Sequence, residues 1–224
     1  MHWILDYELI FFDFDGLLVN TEHLHFKAYQ QLLHAHGVSF PWDLSTFVGI
    51  AHQSSDQLRA TITDHCPELI EKNTWETLYR EKQRYYGELL QSQHLEYMPG
   101  VPDLLKIVQQ QQISHAVVTN STYDQVSAIQ RHLPLLKSIP IWVTREDYHL
   151  PKPAPDAYLK AIKILGGARE KMVGFEDALR GIRALNQAHI TPVLICSPDH
   201  PQLSQIKQDS LAYFPSFKEL LVSV

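Results

Sequence analysis

Short apolar runs along the chain each end on polar residues, and longer amphipathic stretches lie between them. Leu9-Ile10-Phe11-Phe12 runs into Asp13, Ala116-Val117-Val118 into Thr119, and Ile141-Trp142-Val143 into Thr144. Met172-Val173-Gly174-Phe175 leads into Glu176, and Val193-Leu194-Ile195 into Cys196. Such uninterrupted runs predict strands covered on both faces in a parallel sheet. The intervening helices are legible from spacing. Ala157, Leu159, Ala161, Ile162 and Leu165 place an apolar stripe on residues 156–165, which stops at Gly166-Gly167. Gly181, Ile182, Ala184 and Leu185 do the same after the fourth run. Repeated strand–helix units predict right-handed crossovers and an α/β, Rossmann-like parallel sheet. Sheets of this kind take ligands at the carboxyl ends of their strands, where these polar residues stand.

Between the first and second strands lie too many residues for a single crossover. Leu24, Ala28, Leu32 and Leu33 recur at helical spacing within 21–37, and Pro41-Trp42 opens another segment. Residues 54–62 and 75–90 read as further amphipathic helices, the latter carrying Leu78, Tyr85, Leu89 and Leu90. The expected organisation is a catalytic core of residues 1–17 and 94–224 with an inserted α-helical domain at 18–93. Pro99-Gly100-Val101-Pro102 then starts a helix returning to the sheet.

Composition narrows the function classes. The chain has 224 residues, 45% of them apolar, with 19 basic side chains against 25 acidic ones and a formal charge of −6. A basic stripe for nucleic acid is missing, and no apolar run reaches the ~20 residues that span a bilayer. The acidic opening segment, unlike the basic start of a secretory leader, predicts a cytoplasmic protein. Cys66 and Cys196 are too few and too far apart for a disulfide framework or a cysteine zinc site, and read as buried structural thiols.

Four strand ends carry the candidate chemistry. Asp13-Phe14-Asp15-Gly16 closes the first strand. Two carboxylates this close resist joint ionisation unless a cation or basic group separates their environments, so one can attack while the other exchanges a proton. Gly16 allows a sharp turn and offers amides to an anion. Alone, the motif also reads as an Asx turn. Thr119-Asn120-Ser121 supplies hydroxyl and amide donors, and Lys152 stands in a proline-stiffened loop, Pro151-Lys152-Pro153-Ala154-Pro155. Glu176-Asp177 adds an acidic pair suited to a hard cation such as Mg2+, which favours carboxylates, water and phosphate oxygens.

With these four motifs in this order, the chain resembles the haloacid dehalogenase superfamily, in its branch of small phosphatases and β-phosphoglucomutase-like enzymes with a helical cap. The matching stretches are residues 13–22, Thr119, Lys152–Asp156 and Glu176-Asp177. The resemblance implies a magnesium-dependent phosphomonoester phosphatase with an aspartyl-phosphate intermediate. It makes Asp13 the nucleophile and Asp15 the acid and base. Asp13, the Asp15 carbonyl and Asp177 become metal ligands with Glu176 beside them, and Thr119, the Asn120 amide and Lys152 hold the phosphoryl oxygens. The alternative it leaves open is a phosphosugar mutase.

In that branch the cap selects a small phosphorylated metabolite and hinges, here, near Leu17–Val19 and 93–98. His25 in the first cap helix and His52 in a cap loop are the specificity candidates. The mutases carry an arginine near the His52 position to grip a second phosphate; here Arg59 is the nearest, which favours the phosphatase. Trp42, Trp75, Tyr79 and Tyr85 are read as cap core rather than pocket lining. The branch further implies a monomer.

Overall fold

A computed structural model describes residues 2–168 and 170–222. The chain divides into two compact units, one of residues 1–20 and 95–224 and the other of residues 21–94.

Among the described residues the larger unit is built on six parallel strands: β1 (Leu9–Phe12), β2 (Ser114–Val118), β3 (Ile141–Val143), β4 (Met172–Glu176), β5 (Thr191–Ile195) and β6 (Ala212–Phe214). They lie in the order β3-β2-β1-β4-β5-β6. All four residues of β1 pair with β2 on one side and β4 on the other, with Phe12 opposite both Val117 and Phe175. The chain steps outward from β1 to β3 and then jumps to β4. The β1–β4 boundary is therefore the switch point at which loops diverge and leave a crevice. The α/β, Rossmann-like expectation holds. β6 was not anticipated, because its Ala-Tyr-Phe is a half-buried edge strand with no continuous apolar run.

The smaller unit is entirely helical: α1 (Glu22–Ala35), α2 (Leu44–Ala51), α3 (Ser55–His65), α4 (Pro67–Lys72) and α5 (Trp75–Ser92). Asp43, Ser54 and Thr74 cap α2, α3 and α5 by accepting the amides of Thr46, Gln57 and Thr77 at 2.8, 3.0 and 3.3 Å. Its core gathers Leu32, Leu33, Phe47, Ile62, Leu69 and Leu78, with Trp42, Trp75 and Tyr85 packed against it. Tyr79 instead stands exposed. Burial of each such side chain stabilises by about 1.5–3 kcal/mol.

Among the described residues six helices flank the sheet of the larger unit: α6 (Val101–Gln110), α7 (Tyr123–His132), α8 (Asp156–Ile164), α9 (Leu179–Gln187), α10 (Leu203–Gln208) and α11 (Phe217–Val222). On one sheet face Phe11, Val118 and Val143 pack with Ala157, Ala161 and Ile182 from α8 and α9. On the other, Phe12 stacks on Phe175 at 5.6 Å, and both rings meet Phe217 edge-on at 6.2 and 5.4 Å. This alternation along β1 is the period of 2 that pleating imposes. Leu17, Leu18 and Val19 are fully buried. Their segment is tied to the one leading into α6, since Asn20 donates to the Glu96 carbonyl at 3.1 Å and Met98 to that of Leu18 at 3.0 Å. No helix among the described residues is long and apolar enough to cross a membrane.

Candidate active site

Asp13 is the first residue beyond β1, and its amide still donates to the Phe175 carbonyl at 3.0 Å, so β4 holds the aspartate at the strand tip. The chain then folds back at once. Gly16 adopts φ +81°, a left-handed conformation that glycine enters without penalty. The Gly16 amide donates to the Val19 carbonyl at 2.9 Å. That is a correction to its expected part: Gly16 makes the turn, and its own amide is committed there rather than offered to an anion. Asp15, half-buried in this turn, accepts at Oδ2 from Ser121 Oγ at 2.5 Å and from Thr119 Oγ1 at 3.5 Å.

Lys152 enters from the loop between β3 and α8, where Pro151 and Pro153 flank it and the Lys152–Pro153 peptide is cis. Its ammonium is buried and donates three bonds: to Asp13 Oδ1 at 2.5 Å, to Glu176 Oε1 at 2.6 Å and to the Val118 carbonyl at 2.8 Å. Three donors on an ammonium are thereby satisfied, which is what burial of a lysine demands. Burial alone would lower the lysine's pKa; the Asp13 and Glu176 charges outweigh it and hold the pKa above its usual value. Asp13 moves above the usual carboxylate range, first through burial and then through the Glu176 charge, with Lys152 opposing.

Glu176 ends β4 with 1% of its surface exposed and also accepts the Tyr158 hydroxyl from α8. Gly181 on α9 makes room for it. A Cβ on Gly181 would lie 2.0 Å from the Glu176 carboxyl carbon. Asp177 follows, 5% exposed. Carboxylate oxygens of Asp13, Glu176 and Asp177 lie within 4.8 Å of one another. Two of these carboxylates, on Asp13 and Glu176, share one ammonium and Asp177 adds a third negative charge, so the buried cluster of hard oxygen donors fits a divalent cation of the Mg2+ type.

Thr119, Asn120, Lys152, Glu176 and Asp177 thus converge with Asp13 and Asp15 at the carboxyl ends of β1, β2 and β4. The Asn120 side chain is engaged in positioning: its Oδ1 accepts from the Tyr148 hydroxyl at 2.7 Å and from the Lys152 amide at 3.3 Å. Tyr148 and Tyr158 escaped the sequence reading. Each looks like an ordinary aromatic core residue in the chain, and only its hydroxyl distinguishes it.

His25 and His52 belong to the helical unit. His25, on α1, stacks on Tyr86 at 4.0 Å, and its Nδ1 accepts from Lys82 Nζ at 2.8 Å. Lys82 is 3% exposed and lies over the Tyr86 ring at 4.7 Å. His52 corrects the expected loop. Val48–Ala51 close helix α2, and His52 is its buried C-cap, with Nε2 2.8 Å from Glu22 Oε1.

The model of the haloacid dehalogenase-like hydrolases matches residues 10–195, which contain every residue of the cluster at the β1–β4 tips. The chain belongs to that family. Haloacid dehalogenase-like relatives agree along most of its length. The phosphorylated carbohydrates phosphatase of Thermotoga maritima is 29% identical over 82% of this chain and 82% of its own. Validoxylamine A 7'-phosphate phosphatase of Streptomyces hygroscopicus subsp. limoneus is 28% identical over 82% of this chain and 83% of its own. The crystal structure of CbbY from Rhodobacter sphaeroides in complex with phosphate superposes with a TM-score of 0.78 at 24% identity, covering 96% of each chain. That last likeness speaks for the haloacid dehalogenase fold, and the motif resemblance read from the sequence is borne out.

Proposed function

We propose that this haloacid dehalogenase-like hydrolase is a phosphatase of small phosphorylated metabolites, carbohydrate phosphates foremost, working through an aspartyl-phosphate on Asp13. The observation that carries the reading is the convergence of Asp13 and Asp15 with the Thr119 hydroxyl and the Lys152 ammonium at one set of strand ends. Phosphoryl transfer asks a protein mainly for in-line positioning and for compensation of negative charge. Two relatives named as phosphatases of phosphorylated compounds support the same reading.

In the first displacement an Asp13 oxygen forms a bond to phosphorus as the bond to the leaving oxygen breaks. The Asp15 carboxyl gives its proton to that oxygen, releasing the alcohol. In the second, Asp15 takes a proton from water, the water oxygen bonds to phosphorus, and the Asp13–phosphorus bond breaks to return the carboxylate and inorganic phosphate. Lys152 and Thr119 hold the non-bridging oxygens. Asp13, Asp177 and the Asp15 carbonyl, with Glu176 adjacent, would hold Mg2+, whose chemistry is to neutralise charge developing on the phosphoryl group. Selection among esters is assigned to the helical unit, with His25 and His52 as its candidates.

Turnover of an aryl phosphate and of a panel of sugar phosphates with Mg2+, read as phosphate release, tests the proposal. Release by the wild type that disappears in Asp13→Asn is expected. Activity that survives this substitution overturns the mechanism. Isomerised sugar phosphate in place of free phosphate replaces the reading with the mutase.

A further inference from the structure

Two loops carry the phosphoryl-binding groups of the proposed site, one after β2 with Thr119 and one before α8 with Lys152. A third segment, after β3, lies against both. There Thr144 and Asp147 close on each other through the Thr144 amide at 2.8 Å and hydroxyl at 3.1 Å. Arg145 donates its amide to the Ser121 carbonyl at 3.0 Å, and its guanidinium to the carbonyls of Tyr148 and His149 at 3.0 and 3.1 Å. The segment's geometry is therefore fixed from both ends.

Tyr148 projects from this segment into the core, 9% exposed, in the cluster that also holds Val118, Val143 and Tyr158. Its hydroxyl lies 2.8 Å from the Thr119 carbonyl and 2.7 Å from Asn120 Oδ1. The same Asn120 oxygen receives the Lys152 amide at 3.3 Å. A phenol has one proton, and both neighbours are acceptors, so the proton is shared between them. Burial first of all pushes the phenol up to about 12, against the pull of Lys152 and Arg145, so it remains a donor at neutral pH.

We propose that Tyr148 is a positioning residue for the phosphatase reaction: its hydroxyl, with Asn120, latches the Thr119 turn to the Lys152 loop and fixes the distance between the hydroxyl and ammonium that receive the phosphoryl group. The inference rests on the phosphatase reading for its consequence and on the geometry alone for the latch. Catalysis by charge compensation depends on donors held in place before reaction, and a displacement of ~1 Å can cost ~100-fold in rate. Tyr148→Phe retains the ring in the core and removes only the hydroxyl that makes the two bonds.

Tyr148→Phe is expected to lower kcat about tenfold with KM changed less than about threefold, at a nearly unchanged thermal midpoint. Asn120→Ala should do the same, and the double variant should be no slower than the slower single one, because one latch is broken either way. Amide exchange gives a reading independent of turnover: in folded Tyr148→Phe the Lys152 amide should exchange at least about tenfold faster than in the wild type. Wild-type kcat in Tyr148→Phe, or losses that multiply in the double variant, overturns the positioning role. Unchanged exchange at Lys152 overturns the latch itself. A wild-type chain inert towards every ester sinks the phosphatase reading and leaves the exchange measurement to decide the latch.

Discussion

The Lys152 ammonium stands 2.5 Å from Asp13 Oδ1, joining residues 139 positions apart in a pocket that admits almost no solvent. The same nitrogen is 2.6 Å from Glu176 Oε1, so one cation holds two carboxylates that would otherwise repel across low-dielectric space. Removing one member of a buried pair costs about 3–5 kcal/mol, because an uncompensated charge stays behind. Lys152→Met is expected to lose about that much in metal-free urea unfolding at neutral pH. A loss below about 1 kcal/mol would show that the pair is not buried in solution.

The acidic cluster makes a prediction about metal removal. Mg2+ bound to the native state alone stabilises by about 2.7 kcal/mol at a concentration 100 times its dissociation constant. For a domain of this size that is a rise of about 5–10 °C in the unfolding midpoint. Chelator should reverse it, and Asp177→Asn, lacking one of the three carboxylates, should respond far less. An equal rise in wild type and variant would place the ion elsewhere.

Gly181→Ala tests the space around Glu176. A methyl there would sit 2.0 Å from the carboxyl carbon, inside any van der Waals limit, and Glu176 is too enclosed to swing into solvent. The carboxylate must shift away from Lys152 and Tyr158. We expect phosphate release to fall at least about tenfold together with a lower unfolding midpoint, in line with the ~1–3 kcal/mol of overpacking. Unaltered turnover in steady-state assays would mean that Glu176 does not set the lysine's position.

His115 on β2 should give stability a pH dependence below neutrality. Its Nδ1 donates to the Ile113 carbonyl at 2.7 Å, while Nε2 is buried without a hydrogen-bond partner among the described residues. Burial lowers its pKa from 6.5, and the Ile113 carbonyl only partly opposes this. The unfolded chain therefore takes up the proton first as pH falls. The contribution of neutral His115 is fully present above about 6.5 and is lost as pH drops through the interval down to the lowered native value. Unfolding midpoints from pH 7.5 to 5.5 should decline more steeply for the wild type than for His115→Phe, which removes both the titration and the unsatisfied nitrogen. Parallel slopes would contradict the assignment.

The helical unit shows where a sequence pattern ran out. Residues 75–90 were legible as an amphipathic helix, and α5 covers them, but its buried stripe runs through Lys82 and Tyr86. A lysine reads as a solvent residue in any polar-apolar pattern. Only the rings of Tyr29 and Tyr86 and the His25 nitrogen around it show how its charge is accommodated. His52 was misplaced for a related reason. Val48-Gly49-Ile50-Ala51 has no charged face to mark a helix, and the Asp43 cap that starts α2 lies nine residues before His52.

The chain by itself determined the first five strands, β1 to β5, and the four polar motifs that follow the strands. A strand buried on both faces has to be a continuous apolar run, and a loop that turns at once has to spell its turn in adjacent residues. Leu9–Phe12 followed by Asp-Phe-Asp-Gly satisfies both within eight positions. The tertiary structure alone decided which groups meet: Tyr158 on Glu176, Ser121 on Asp15, and Tyr148 between Thr119 and Asn120. Those meetings follow from strand order and register, which join segments tens of residues apart. No local pattern encodes whether a tyrosine's hydroxyl or its ring is the part that the fold uses.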